Sequence, residues 1–207
     1  MLVYLCGPHG AGKSTLAEKM TSIYPAVQRY PEDTLDCLPK IQDDCYLRVK
    51  TKLLKCYLER VEQKMSDNAQ NITLCNRCEY DSLVYGRAFV RLGWISAGEY
   101  QHIEKLAQQL LDGERLTSII LNPSLETLET QLQQRWSKGI RKWREENREY
   151  LAAVHEEYQK FAGEHKILYL TDETLEEKVF AIGNLAGLPA YVNAPATNNG
   201  NTIVASQ

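Results

Sequence analysis

Near its amino terminus the chain reads Gly7-Pro8-His9-Gly10-Ala11-Gly12-Lys13-Ser14. This is the spacing G-x-x-x-x-G-K-[ST], which is typical of a loop whose backbone N–H groups surround phosphates. The apolar run 2–6 precedes the loop and predicts a buried strand, while residues 14–23 show a helical pattern. Because the loop lies between a strand and a helix, as such loops do, the stretch predicts an α/β fold that binds phosphates.

The residue types in this loop fit the chemistry of a nucleoside triphosphate. Glycines let the backbone wrap closely, and the following helix amino terminus adds positive potential. Lys13 is predicted to reach the outer phosphates and to act in catalysis, and the Ser14 hydroxyl is predicted to bind Mg²⁺. We therefore predict ATP and Mg²⁺ as cofactors. The predicted cofactor-binding residues of the loop are Gly7, His9, Gly10, Ala11, Gly12, Lys13, Ser14 and Thr15. The His9 side chain is expected to point outward, without a catalytic role.

The rest of the chain alternates apolar runs of strand length with segments of helical periodicity. Further strands are predicted at 26–30, 72–75, 117–121 and 167–171, and helices at 43–65, 81–92, 97–111, from 124 onward and at 173–185. This alternation predicts a parallel sheet covered by helices on both faces. We expect one domain over residues 1–188, followed by a disordered tail over 189–207, which lacks periodicity and is rich in Asn, Ala and Thr near its end.

Composition narrows the class of protein. The 207 residues are 43% hydrophobic and 25% charged, as in a globular domain, and the net charge of −3 disfavours a broad non-specific grip on nucleic acid. No stretch approaches the roughly 20 apolar residues of a membrane span, and no signal peptide is evident, so we expect a cytoplasmic protein. Its six cysteines are then expected to be free thiols. The Cys75-Asn76-Arg77-Cys78 stretch lacks the second ligand pair that a zinc site needs.

Two strand ends separate the classes of protein that share the phosphate loop. A GTPase would be expected to carry Asn-Lys-x-Asp after a strand, whereas the fourth predicted strand ends in Leu121-Asn122-Pro123-Ser124. A motor-type ATPase would normally show an acidic pair after an apolar strand, whereas the third predicted strand ends in Leu74-Cys75-Asn76-Arg77. The remaining class is a kinase.

Several motifs beyond the loop carry a resemblance to a known family. The loop, Pro31-Glu32, Asn76-Arg77-Cys78 and the stretch 131–158 together resemble the deoxynucleoside kinase and thymidylate kinase superfamily over residues 1–188. The resemblance implies a P-loop kinase fold with a five-stranded parallel sheet flanked by helices and a helical lid at about 135–149. It also implies transfer of the γ-phosphoryl group of ATP to a hydroxyl of a nucleoside-like acceptor.

The resemblance also implies roles for residues around the acceptor. Glu32 matches the carboxylate that takes the proton of the acceptor hydroxyl. Arg77 matches the arginine that holds the acceptor and the moving phosphate, a task suited to a planar, permanently charged donor. The family has an acidic residue near Mg²⁺ where this chain has Asn76, so Glu32 or Asp33 is left to supply the metal's carboxylate.

The helix after Arg77 and the basic stretch 135–144 supply the remaining predicted contacts. Asp81 and Tyr85 match acceptor contacts, although a surface role for Asp81 and a core role for Tyr85 fit equally well. Arg141 and Arg144 match lid arginines that close over the phosphates of ATP. A basic, solvated helix face is the alternative for that stretch.

Three other functions stay open on the sequence alone. The acceptor is a nucleoside monophosphate in the first, with Glu32 binding its sugar. The second places the acceptor hydroxyl within a polynucleotide, for instance on a hydroxymethylated base, because Trp136 and Trp143 alternate with cations as in a stacking surface. Nucleic acid is the less favoured partner, since acidic residues follow at once. A nucleotide-gated switch without catalysis is the third. Base specificity stays open, and a homodimer is compatible with the sequence.

Overall fold

The computed structural model describes residues 1–30, 44–66 and 71–189. The predicted base Glu32, its neighbour Asp33 and all of the predicted tail except residue 189 lie outside these ranges. The strands are β1 (Leu2–Cys6), β2 (Val27–Arg29), β3 (Ile72–Asn76), β4 (Ser118–Leu121) and β5 (Leu168–Leu170). They form one five-stranded parallel sheet, as predicted, and the strand order is β2-β3-β1-β4-β5.

Seven helices connect or follow these strands within the described residues. They are α1 (Lys13–Ile23), α2 (Cys45–Ser66), α3 (Glu79–Arg91), α4 (Ala97–Leu111), α5 (Leu125–Ser137), α6 (Arg148–His165) and α7 (Leu175–Leu185). Most boundaries lie within two residues of the prediction. Helix α3 begins earlier because Cys78 and Asp81 form a capping box at its amino terminus. The sequence did not signal this cap, since cysteine is not one of the usual N-cap residues.

The parallel sheet brings three chain segments to one edge. Strand β1 pairs with β3 on one side and β4 on the other, with Tyr4 opposite both Cys75 and Ser118. All three strands run the same way, so the loop after β1, the Asn76-Arg77 pair at the end of β3 and the connection after β4 meet at the carboxyl edge. Open parallel sheets bind their ligands at this edge.

Each face of the sheet carries its own core. Along β1, Val3 and Leu5 face one side and contribute to a core that includes residues of α1 and α7. Tyr4 and Cys6 face the other side and contribute to a larger core with residues of α2, α3, α4 and α6. Alternation of side chains along a strand explains this division. Helices therefore cover both faces, which is why the strands are almost continuously apolar.

Helix α2 forms as its periodicity predicts, but its buried face differs from the apolar pattern. Among the apolar residues that define the pattern, Leu47, Leu54, Leu58 and Met65 are exposed. The buried positions include two polar ones, Arg60 and Gln63. Arg60 donates to the buried Glu79 carboxylate at 2.7 Å, and Gln63 accepts from the Cys75 thiol at 2.8 Å. Polar partners across the interface thus decide which side of α2 faces inward.

The segment between α5 and α6 is built largely of turns. Helix α5 ends at Ser137, and Asn147 caps the start of α6, so the predicted lid at 135–149 is helical only at its two ends. In the described residues no helix is both long and apolar enough to cross a bilayer. The five cysteines in those residues are free thiols, as predicted, and all five are buried.

Candidate active site

The phosphate loop depends on three glycines with positive φ. Gly7 (φ 138°) lies so close to β4 that a Cβ there would meet the Leu121 carbonyl oxygen at 2.1 Å. Gly10 (φ 82°) lies against the Leu132 side chain, and Gly12 (φ 81°) is the N-cap of α1. Side chains are disfavoured at such angles, so glycine is required for this wrap. The first turn of α1 holds no acidic residue, which leaves its positive end suited to an anion.

Lys13 lies inside the loop that it follows. Its ammonium group donates to the carbonyl oxygens of Gly7 and Pro8, at 2.9 and 2.7 Å. Burial, followed by the positive charge of Arg77, lowers the pKa of Lys13 well below its usual value. The exposed Ser14 lies beside it. Both line a cavity of about 730 Å³, which we call the phosphate cavity.

Arg77 adopts a backbone conformation that is rare for a residue with a side chain. Its φ is 76°, and its N–H donates to the Leu5 carbonyl at 2.9 Å. Such a conformation is unfavourable and is often found at functional sites. It lets the guanidinium group donate to the carbonyl of Gly7 at 3.2 Å and to the hydroxyl of Tyr85 at 3.3 Å. Arg77 thereby ties the phosphate loop to α3.

Asp81 holds this arrangement together. Its carboxylate accepts hydrogen bonds from the backbone N–H of Gly7 (3.2 Å), from Arg77 (3.0 Å) and from the N–H of Cys78 (3.0 Å). The hydroxyl of Tyr158 on α6 also donates to it. Asp81 is only 3% exposed, so the predicted surface alternative is wrong. The carboxylate instead anchors the loop, the arginine and two helices.

A second cavity lies on the other side of Asn76 and Arg77 and is bounded by α2, α3 and the start of α6. Its volume is about 220 Å³, and we call it the acceptor cavity. Tyr85, predicted as an acceptor contact, lines it and packs edge-on against Tyr158 in an aromatic cluster. Asn76 and Arg77 line both cavities, so the two cavities adjoin at these residues.

The basic segment places its cations differently from the prediction. Arg135, Lys138 and Lys142 line the phosphate cavity, whereas Arg141 and Arg144 are not among the residues that line it. The Arg141 guanidinium lies over the Trp136 ring at 5.5 Å. That of Arg144 lies between two rings, 4.3 Å from the centroid of Trp94 and 4.7 Å from that of Trp143. Arg144 therefore secures the segment against the turn between α3 and α4.

Glu145 is a site residue that the sequence analysis did not single out. It is fully buried and accepts hydrogen bonds from the Trp136 indole (3.4 Å) and the Lys142 N–H (3.0 Å), besides its ion pair with Arg135. Its Oε1 also lies 3.5 Å from Nδ1 of His9, so the expectation that His9 points outward is wrong. Burial and nearby cations lower the pKa of His9 well below its usual value, so a neutral imidazole meets the carboxylate.

A comparison with protein families decides the identity of this fold and site. The family model described as deoxynucleoside kinase matches residues 4–181. The chain belongs to the deoxynucleoside kinase family. It is therefore a P-loop phosphotransferase of the nucleoside and nucleotide kinase type. No sequence among curated proteins matches the chain.

Solved structures show that this deoxynucleoside kinase family member shares its fold with other nucleoside and nucleotide kinases. The structure of deoxyadenosine kinase from M. mycoides with bound dATP matches with a TM-score of 0.67 and 15% sequence identity. The match covers 90% of this chain and 99% of the deoxyadenosine kinase chain. Thymidylate kinase from Candida albicans has a TM-score of 0.60, 15% identity and 90% coverage of both chains. At such identities the likeness shows the fold alone.

The residues at the phosphate cavity fit the magnesium ion that deoxynucleoside kinases imply. Ser14 and Asn76, the two predicted ligands, line the cavity and supply neutral oxygens. Among the described residues that line the cavity, Glu173 supplies the one carboxylate. This carboxylate already accepts hydrogen bonds from the backbone N–H and the hydroxyl of Thr171. Mg²⁺ in kinase sites keeps several waters and is bound through one or two carboxylates together with substrate phosphates. Ser14 and Asn76 fit as its neutral ligands, and Glu32 or Asp33, outside the described residues, is left to supply a carboxylate.

The two tryptophans that motivated a polynucleotide acceptor are engaged within the protein. Trp143 packs edge-on against Trp94 and Tyr150, and the Arg48 guanidinium covers its ring at 4.2 Å. The Trp136 indole donates to the buried Glu145. Neither ring therefore forms an open stacking platform in this family member.

Proposed function

We propose that the protein transfers the γ-phosphoryl group of ATP to a nucleoside-like acceptor. ATP occupies the phosphate cavity and the acceptor occupies the acceptor cavity. The observation that carries this proposal is the position of Asn76 and Arg77, which line both cavities at the carboxyl edge of the sheet. The match to the deoxynucleoside kinase family supports the same reading.

The residues act mainly by positioning and by stabilising charge, since phosphoryl transfer demands little else of a protein. Lys13 and the loop N–H groups hold the β- and γ-phosphates, and Ser14 with Asn76 holds Mg²⁺, which neutralises phosphate charge when bound. Arg77 faces the oxygens of the moving group. Lys138 and Lys142 line the same cavity and add positive charge to it.

One experiment tests the proposal directly. The purified protein is incubated with ATP labelled at the γ-phosphate and with a panel of deoxynucleosides, their 5′-monophosphates, and single- and double-stranded DNA. We expect label in a small-molecule product and none in DNA. Acceptor-independent hydrolysis alone, or labelled DNA, would contradict the proposal.

The sequence assigns the general base to Glu32, which lies outside the described residues. For a hydroxyl acceptor, we expect Glu32→Gln to lower turnover by roughly 10²–10⁴-fold with normal ATP binding, because a hydroxyl needs its proton removed. For a phosphate acceptor, the same change acts mainly on acceptor affinity. Turnover and acceptor affinity are measured separately. If neither changes, Glu32 has no role in the site.

The placement of the lid cations gives a second test within the proposal. We expect Lys142→Ala to lower turnover about tenfold, equal to roughly 1.4 kcal/mol of transition-state stabilisation, because this residue lines the phosphate cavity. Arg141→Ala, one residue away and stacked on Trp136, is the matched control and should change turnover much less. Steady-state kinetics at saturating acceptor measures both. A larger loss for Arg141→Ala would restore the role that the family resemblance implied.

A further inference from the structure

The wall of the acceptor cavity formed by α2 is rich in positive charge. Arg48, Lys52 and Lys55 line the cavity from this helix, and Arg77 adds a fourth cation at the end of β3. The described lining contains two carboxylates, Glu59 and Asp81. Glu59 lies 3.6 Å from the Lys55 ammonium, and Asp81 accepts from four protein donors. Among the described lining residues, positive charge therefore exceeds negative charge.

Among the described residues that line this cavity, Lys52 is a cation that neither carboxylate pairs with. Its ammonium lies 5.4 Å from the centroid of the Tyr85 ring, and the Arg77 guanidinium lies 5.2 Å from the same centroid. Within the described parts of the chain, Lys52 contacts the Tyr85 ring, and no carboxylate forms an ion pair with it. A partly buried charge in this position is costly unless a ligand compensates it.

The electrostatics agree with this geometry. Burial, and then the charges of Arg77 and Arg48, lower the pKa of Lys52 to about 7. Cys56 on α2 and Asp81 on α3 act in the opposite direction but do not outweigh them. Of these four groups, Arg48 and Cys56 lie on α2, Asp81 lies on α3, and Arg77 lies between β3 and α3. An anion bound beside Lys52 would favour its protonated form.

We propose that the acceptor carries a phosphate, as a nucleoside 5′-monophosphate does, and that Lys52 together with Arg77 binds that phosphate. The inference rests on the proposed function and names its substrate class. A phosphate suits the site, because Arg77 also lines the phosphate cavity and a planar guanidinium matches phosphate oxygens. The phosphate of the acceptor then lies at the junction where transfer takes place.

The step is chemically complete with such an acceptor. An oxygen of the acceptor phosphate forms a bond to the γ-phosphorus of ATP, and the bond from that phosphorus to the β–γ bridging oxygen breaks. The electron pair remains on ADP, and the acceptor becomes a diphosphate. No proton has to leave a dianionic phosphate, so the step needs no general base at the described residues.

Kinetics with paired acceptors tests the inference. We expect kcat/KM for a deoxynucleoside 5′-monophosphate to exceed that for the matching deoxynucleoside by at least about tenfold. Lys52→Met should raise the KM for the monophosphate by roughly 10- to 100-fold, the range of a lost hydrogen bond to a charged group, with a smaller effect on the nucleoside. Lys50→Met is the control, because Lys50 lies two residues away on α2, against Tyr46 outside the acceptor cavity.

A proton measurement adds a readout that a structural role for Lys52 would not produce. At pH 8 Lys52 is mostly neutral and the phosphate is dianionic, so binding of the monophosphate should take up protons. Calorimetric titrations in two buffers of different ionisation enthalpy measure this uptake. We expect it in the wild type and in Lys50→Met and not in Lys52→Met. Thermal unfolding should show that Lys52→Met is at least as stable as the wild type, because a poorly compensated cation has been removed.

The outcomes separate the inference from the proposed function. If nucleosides are phosphorylated as well as their monophosphates, or if Lys52→Met and Lys50→Met behave alike, the inference is wrong and the function stands. Suppose instead that monophosphates bind through Lys52 but ATP is not consumed with any acceptor. The anion site then stands, and the proposed function is wrong. Failure of every monophosphate to bind the wild type at millimolar concentration overturns the inference directly.

Discussion

Replacement of Lys13 by alanine is expected to lower turnover by about a hundredfold or more. Lys13 is 8% exposed, and its ammonium group lies within the loop, where it donates to the Gly7 and Pro8 carbonyl oxygens. Removal of a preorganised donor of this kind lowers turnover by a factor on the order of 10²–10³, because the donor stabilises charge that develops in the transition state. Single-turnover transfer from labelled ATP measures the loss.

The protein should stay folded in this variant. The loop conformation depends on glycine φ angles and on the hydrogen bond from the Gly7 N–H to Asp81, neither of which involves the lysine side chain. Lys19→Ala, in the same helix and farther from the cavity, is the matched control and should retain normal turnover. Near-normal transfer by a folded Lys13→Ala protein would remove Lys13 from catalysis.

The second large effect is expected at Asp81, on stability as well as activity. Asp81→Asn removes the negative charge that pairs with Arg77 and replaces one acceptor oxygen by a donor amide that faces donors. Breaking a buried ion pair by removing one partner destabilises by about 3–5 kcal/mol. Urea unfolding followed by circular dichroism measures the free energy of unfolding. Turnover should fall too, because Arg77 and the loop lose their common anchor.

Asp112→Asn is the control for this second substitution. Asp112 is the exposed C-cap of α4 with φ 47°, a left-handed conformation that asparagine tolerates well. We expect the free energy of unfolding to change by no more than a few tenths of a kcal/mol. If Asp81→Asn were equally mild, the hydrogen bonds to Asp81 would not be what holds the loop and Arg77 in place.

Local signals explain what the sequence predicted. The phosphate loop is contiguous, and its glycines and lysine have fixed spacing, so Lys13 and Ser14 were located without knowledge of the fold. Asn76 and Arg77 were identified through the resemblance to a known family, and they end an apolar strand, whose carboxyl end lies at the ligand-binding edge of a parallel sheet. The alternation of strands and helices likewise gave the five-stranded sheet.

Contacts between distant segments explain what the sequence missed. Asp81 is a hub because Gly7 and Tyr158, about 75 residues away on either side, come to it in the fold. Lys52 looks like a solvated position, because the leucines of α2 suggest a different inward face from the one that packs. Glu145 directly follows the basic stretch and precedes Glu146, so the sequence suggests only that acidic residues dilute the local positive charge, yet Glu145 is fully buried. Tertiary partners decide each case.

Two consecutive residues of the basic segment face different cavities, since Lys142 lines the phosphate cavity and Trp143 lines the acceptor cavity. Consecutive Cα atoms are 3.80 Å apart across a trans peptide, so a shift of the backbone at one of these residues also moves the other. With ATP and the acceptor bound as proposed, each substrate would bias the position of the same short piece of backbone. Linkage then requires reciprocity: whatever factor an acceptor adds to the affinity for ATP, ATP adds to the affinity for that acceptor. The affinity for each substrate therefore has to be measured both with and without the other substrate bound.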